Sequence, residues 1–273
     1  MYNNRKKEIR IKADSFREKC KIRRYGIIDL FKECERCGYK LIRYPLGEDA
    51  ELGFTMRKDS DMVIFTNTCS RLAREIFTLA HEIGHIVLHM EDAVSFIDDT
   101  ITISGRSTDE KEQDANYFAA CLLMPDDEVE KFLDLEIEDF RIQGLSAMDI
   151  ARIMSEFNVS FETALIRLES LGKINNAERI QLGNERNQTR VGKLLKSVGG
   201  NARLNEVSGV IDIPYEYIGY AIYNYNHNAI PKETLERALE CYHLTLEDIS
   251  DKLIHKADEG DDDFDNFIGG LEE

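Results

Sequence analysis

Two histidines and a glutamate fall within the five residues His81-Glu82-Ile83-Gly84-His85. In an α-helix, residues four apart lie on one face, one turn above each other. Both imidazoles can then turn toward a single metal ion. Glu82 lies beside that face and can reach a water on the ion. The chemistry on offer is metal-assisted hydrolysis, with two ligands and a general base from little more than one helical turn. The neighbours favour this over two histidines on an ordinary packed or solvated face. Ile76, Phe77, Ala80, Ile83, Ile86 and Val87 supply an apolar stripe, so the helix is expected to be buried beside its histidines. Buried imidazoles and a buried carboxylate need partners, and a metal is the simplest one for two histidines at this spacing.

The arrangement H-E-x-x-H is the signature of zinc metalloproteases. A catalytic zinc takes three protein ligands and leaves one position for water, so a third ligand must be found. The extended pattern H-E-x-x-H-x-x-G-x-x-H fails, because Leu88 stands at the glycine and Glu91 at the third histidine. His89 lies eight residues after His81, about 12 Å along a continuous helix, too far for one ion. It reads better as a residue supporting the site, or as a polar helix end. Downstream, Glu112 and Asn116 are four apart in a segment with helical patterning. Glu112 can be a carboxylate ligand, and Asn116 can hydrogen-bond a ligand histidine, where metal sites are tuned. The plain alternative is an acidic first helical turn favoured by the helix dipole, which suits Asp109, Glu110 and Asp114.

Residues 77–89 read F-T-L-A-H-E-I-G-H-I-V-L-H, and residues 112–125 read E-x-x-A-N-x-F-A-A-x-L-L-M-P. Together these segments resemble the ImmA/IrrE family of bacterial metallopeptidases, with weaker similarity from about residue 10 to 175. The resemblance implies that His81, His85 and Glu112 hold zinc (manganese being the alternative ion) and that Glu82 is the catalytic residue, a gluzincin-like set. Asn116 and His89 are expected beside the ligands. The resemblance also implies a protein substrate: a helix-turn-helix repressor, cut in a stress or mobile-element response so that transcription is released. A non-catalytic alternative is a metal-containing regulatory protein that binds a repressor or a toxin–antitoxin partner. The intact Glu82 favours the enzyme.

Composition sets the bounds. The 273 residues are 42% hydrophobic and carry a net charge of −17. Such a charge repels phosphates, so direct nucleic-acid binding is not expected. Residues 1–43 nonetheless carry 14 Lys/Arg against 6 Asp/Glu, read as a solvated basic helix face. No apolar run approaches membrane-spanning length, and the polar, basic N-terminus lacks a signal-like core. A cytoplasmic protein is expected. Among six cysteines, Cys34-x-x-Cys37 has no second pair to complete a zinc ribbon, and free thiols are the default in a reducing compartment.

The elements that must position the site follow from local pattern. The fold class expected is α+β and mostly helical, with a small antiparallel sheet packed on the motif helix. Helices are expected at 5–24 and 27–37, the second ended by Gly38. Strands are expected at 39–44, 52–56 and 62–66, the last two joined by a turn. The motif helix spans 70–90. A connection with a strand-like piece at 101–103 leads to the Glu112 helix, opened by a Ser107-x-x-Glu110 capping box and closed by Pro125. Helices at 126–134, 146–157 and 161–171 follow, the last two resembling a helix-turn-helix unit with a structural role. The domains expected are a zincin-like peptidase domain (1–135), the helix-turn-helix-like unit (136–175), a linker with one short helix (176–212), a tyrosine-rich C-terminal helical domain (213–256) and an acidic disordered tail (257–273).

Overall fold

The computed structural model describes residues 2–58, 60–90, 95–98, 109–138, 142 and 144–254. The expectations for the strand-like piece 101–103, for Ser107 and for the acidic tail 257–273 lie outside the described residues. The architecture is α+β and mostly helical, as the local patterns predict. The chain splits into two compact units, Met1–Ile213 and Pro214–Glu273.

The first unit opens with α1 (Tyr2–Arg17), whose Ile9, Ala13 and Phe16 enter the core. It ends well before residue 24. The chain turns back through an Ile22–Ile27 bridge, and Gly26 lies so close to the Glu156 carbonyl that a β-carbon would sit 1.9 Å from it. Only glycine permits that approach. The buried Arg17 donates from Nη1 to the Leu122 carbonyl at 3.0 Å and from Nη2 to that of Tyr25. Helix α2 (Leu30–Arg36) is capped by Asp29 and followed by Gly38 at φ +85°.

Strands β1 (Lys40–Tyr44), β2 (Gly53–Lys58), β3 (Asp61–Asn67) and β4 (Ser95–Asp98) form one sheet in the order β1-β3-β2-β4. This corrects the expected antiparallel sheet: β1 and β3 pair in parallel, and the other two pairings are antiparallel. The cause is chain length. Neighbouring strands lie about 4.8 Å apart, and the connection over residues 45–52 is long enough for β2 to pass one strand position. β3 then returns through the β2–β3 hairpin into the gap and runs alongside β1. Phe54 and Phe65, directly paired, stack with ring centroids 4.9 Å apart.

Helix α3 (Leu72–His89) carries the motif. Leu79, Ala80 and Ile83 are fully buried in the same core as Phe118 and Leu122 of α4 (Glu110–Leu123). The cap of α4 is Asp109, whose carboxylate accepts from Lys111 N–H at 2.9 Å. A cap one residue before the helix reaches the first free N–H groups. Pro125 closes α4 and starts α5 (Asp126–Glu136).

Helix α6 (Ala147–Phe157) begins with a capping box between Ser146 and Asp149, and Asn158 then takes a left-handed conformation. Helix α7 (Phe161–Ser170) follows, capped by Ser160. Arg167, the one basic residue of α7, points inward. Its Nε donates to the Met124 carbonyl at 2.9 Å and its Nη2 to Asp126 at 2.5 Å. A buried, paired arginine cannot read a DNA groove; Arg167 instead ties α7 to the start of α5. Residues 176–212 correct the expectation of a linker with one short helix. They carry α8 (Asn176–Gln188), α9 (Val191–Ser197) and a 3-10 turn at Ala202–Asn205. Leu182, Val191, Leu194, Leu195 and Leu204 anchor them in the core.

The second unit holds α10 (Glu216–Asn226), α11 (Lys232–Glu240) and a 3-10 helix at Glu247–Lys252, packed around Ile218, Ile222, Leu235, Leu239 and Ile249. Among the described residues no helix is long and apolar enough to cross a membrane.

Candidate metal centre

The position of α3 is set from its first turn. Glu75 is completely buried. It accepts from Arg43 of β1 in a two-pronged pair at 2.8 and 3.0 Å, and from the Thr66 hydroxyl of β3 at 3.0 Å. The Arg43 guanidinium also lies 3.7 Å from the centre of the Phe31 ring. A buried carboxylate is tolerable only when paired in this way. The start of α3 is also held by residues 206–209, through Leu72 N–H to the Glu206 carbonyl and Ser208 N–H to the Ser70 carbonyl. Arg71, which opposes the helix dipole, finds Asn205 as partner at 3.2 Å. The helix is thus pinned to the sheet one and a half turns before His81.

Gly84 sets how close α4 comes. A β-carbon there would lie 3.2 Å from the backbone of Ala115 and from the Phe118 ring. The crossing at Gly84 and Ala115 brings Glu112, one turn earlier on α4, over the histidines. Nε2 of His81 and Nε2 of His85 lie 3.0 Å apart. Glu112 approaches them with Oε2 at 3.2 Å from His81 and Oε1 at 3.3 Å from His85. Both histidines are completely buried, and the Glu112 side chain is 13% exposed. These are the atoms of the one described cluster of three side chains suited to hold a metal.

The donor chemistry fits a divalent ion. Asn116 Oδ1 faces His81 Nδ1 at 3.1 Å. A carbonyl-type oxygen accepts, so Nδ1 carries the proton and Nε2 presents its lone pair to the cluster. A second imidazole nitrogen and a carboxylate converge on the same point. Such a set repels itself unless a proton or cation lies between. Ligands on a tetrahedral zinc at about 2.0–2.1 Å stand roughly 3.3–3.4 Å from each other, close to the separations found here.

Glu82 is also completely buried. Its carboxylate lies against β2, where a β-carbon added to Gly53 would be 3.0 Å from Oε1 and 2.5 Å from the Thr78 methyl carbon. Gly53 therefore makes the room in which Glu82 stands. His89 does not join the trio. Its ring centroid is 5.5 Å from that of His85, and Nε2 faces the Lys111 carbonyl at 3.2 Å. Burial lowers its basicity, and its contact with the Lys111 carbonyl ties the end of α3 to the residue before Glu112. The Cys34 and Cys37 thiols are both pushed up by burial, which makes them poor nucleophiles.

Sequence reading brought out the three clustered side chains, Glu82 and Asn116, and missed Gly53, Arg43 and Glu75. Gly84 lay inside the motif, yet only the crossing with α4 gives its reason. A glycine in a strand pattern, as at Gly53, is the one local signal of close approach. Comparison with curated proteins gives no match. Residues 34–169 match the Peptidase_M78 family, an IrrE N-terminal-like domain, which supports a metallopeptidase role acting on protein. The span runs from α2 to α7 and contains His81, Glu82, His85, Glu112 and Asn116. Residues 34–169 are thus an IrrE N-terminal-like domain, the peptidase domain of the ImmA/IrrE family.

Proposed function

We propose that the protein is a zinc-dependent endopeptidase whose substrate is a helix-turn-helix transcriptional repressor, cut to release transcription in a stress or mobile-element response. The observation that carries the catalytic part is the convergence of His81, His85 and Glu112 with Glu82 buried beside them. The repressor follows from the family resemblance, and the net charge of −17 suits a basic DNA-binding substrate.

His81, His85 and Glu112 would hold the ion, and Asn116 fixes the His81 ring in the tautomer that ligation needs. When bound, the ion supplies Lewis-acid polarisation of a carbonyl and lowers the pKa of a water toward neutrality. Glu82 takes the proton released as that water attacks and delivers it to the departing amine. Its burial against Gly53 keeps competing water away and holds the carboxylate at one position. A site that only bound metal for structure would have no use for Glu82.

The test compares new protein N-termini across the proteome in cells expressing the wild type or Glu82→Gln, with and without DNA damage. A terminus generated by wild type alone establishes proteolysis and names the substrate. If Glu82→Gln, still loaded with metal, generates the same termini, the mechanism is wrong.

A further inference from the structure

Helix α10 has two different faces. Ile218, Ala221 and Ile222 pack on Leu235 and Leu239, which satisfies its apolar requirement. At about 100° per residue, Tyr217, Tyr220 and Tyr223 fall together on the opposite side. Their exposures are 48%, 65% and 60%. His227 extends the row, stacked on Tyr223 with centroids 3.9 Å apart and its Nδ1 facing the Tyr223 carbonyl at 2.8 Å. Exposed Glu216 shares the same face. From sequence, the cluster of tyrosines reads first as a helix interface, with a partner-docking surface as the alternative. Instead these three rings are turned to solvent in a line, and a single exposed ring would be ordinary where a stripe is not.

Charge selects among occupants. Between residues 214 and 254 there are seven Asp/Glu against three Lys/Arg. An acidic surface repels the phosphates of nucleic acid, although aromatic rows can stack bases. Tyrosine faces are electron-rich and attract cations, arginine most often, whose planar guanidinium also stacks on the ring. We propose that the tyrosine face of α10 is a docking surface for an arginine-bearing, positively charged face of a partner protein. A basic DNA-binding substrate of the kind proposed above is such a partner, and to that extent the inference rests on that reading. Binding itself requires neither the metal nor Glu82, because every residue of the surface lies in the second unit.

The test measures fluorescence anisotropy of a labelled arginine–glycine peptide with the full chain at about 0.15 M salt, where long-range attraction is screened. A lysine–glycine peptide of equal length and charge is the control. Wild type should bind the arginine peptide several-fold more tightly. The triple variant Tyr217→Ala/Tyr220→Ala/Tyr223→Ala should lose about tenfold toward the arginine peptide and change little toward the lysine peptide. The triple Tyr→Phe variant keeps the rings and should retain binding, which separates lost rings from lost fold. Glu82→Gln and chelator-treated protein should bind like wild type, so failure of the peptidase reading would leave this result standing. Equal binding of both peptides, or no loss in the alanine triple, would overturn the proposal. So would tighter binding of a single-stranded oligonucleotide, or a dimer by light scattering that the alanine triple converts to monomer.

Discussion

Gly53→Ala asks whether the strand under the motif helix sets the position of Glu82. The added methyl group would lie 2.5 Å from Thr78 Cγ2 and 3.0 Å from Glu82 Oε1 and from the Phe65 carbonyl. Apolar contacts settle at about 3.5–4.0 Å, so the overlap with Thr78 is roughly 1 Å. The Phe65 carbonyl belongs to β3, an interior strand paired on both sides, and has no room to retreat. Thr78 and Glu82 are completely buried, so the strain falls on them. Overpacking of this kind costs about 1–3 kcal/mol, and a catalytic group moved by about 1 Å loses on the order of 100-fold in rate. The expected result is a loss of about 2 kcal/mol in stability with metal stoichiometry kept. Thr78→Ser removes the nearest carbon. In that background Gly53→Ala should cost less, with an interaction energy of about 1 kcal/mol. Urea unfolding of the four proteins of this cycle, followed by circular dichroism, reads both terms. The chain forms two compact units, so the transition to follow is that of the unit holding α3, the one that a bound divalent metal would shift. Additive costs to within about 0.5 kcal/mol, or a Gly53→Ala cost below that figure, would refute the steric reasoning.

Three further outcomes follow from named contacts. Gly84→Ala presses a β-carbon against Ala115 and Phe118 at 3.2 Å and moves Glu112 with α4, so zinc affinity should fall about 10–100-fold in competition with a chromophoric chelator; unchanged affinity would mean that the crossing does not set the ligand. Arg43→Met leaves Glu75 buried without its two-pronged partner and should cost about 3–5 kcal/mol, most of it recovered by adding Glu75→Leu; a double variant no better than the single would contradict the pairing argument. The Cys20 thiol is pushed up to about 11 by burial. At pH 8 about one molecule in a thousand carries its thiolate, so alkylation at this cysteine, located by mass spectrometry, should speed up about tenfold per pH unit toward pH 11. The linkage has the matching sign: unfolded thiols ionise first, so this contribution is complete below about pH 9 and is lost as pH rises to 11. Fast labelling that ignores pH would rule out the burial.

What the sequence disclosed is what a single helix can encode. The four-residue spacing of His81 and His85 is a statement about one face, and it needs no partner to be read. Glu112 and Asn116 obey the same rule on α4. Their meeting with the histidines depends on a crossing angle and on the missing side chain at Gly84, and neither is a local property. The Arg43–Glu75 pair joins residues 32 apart, and nothing in either neighbourhood announces the other. The sheet fails for the same reason. Alternation gives strands, but strand order depends on what the 45–52 connection can span, and so β1 found β3 as its neighbour. Helix α8 was missed for a different cause. Between Asn176 and Gln188 only Leu182 is a buried hydrophobic, too few for a period. Its start is nevertheless written in the chain, since Asn175 and Glu178 form a reciprocal cap. In a polar helix that rests one side chain on a core, the termini carry more of the signal than the face does, so the cap is the feature to weigh there.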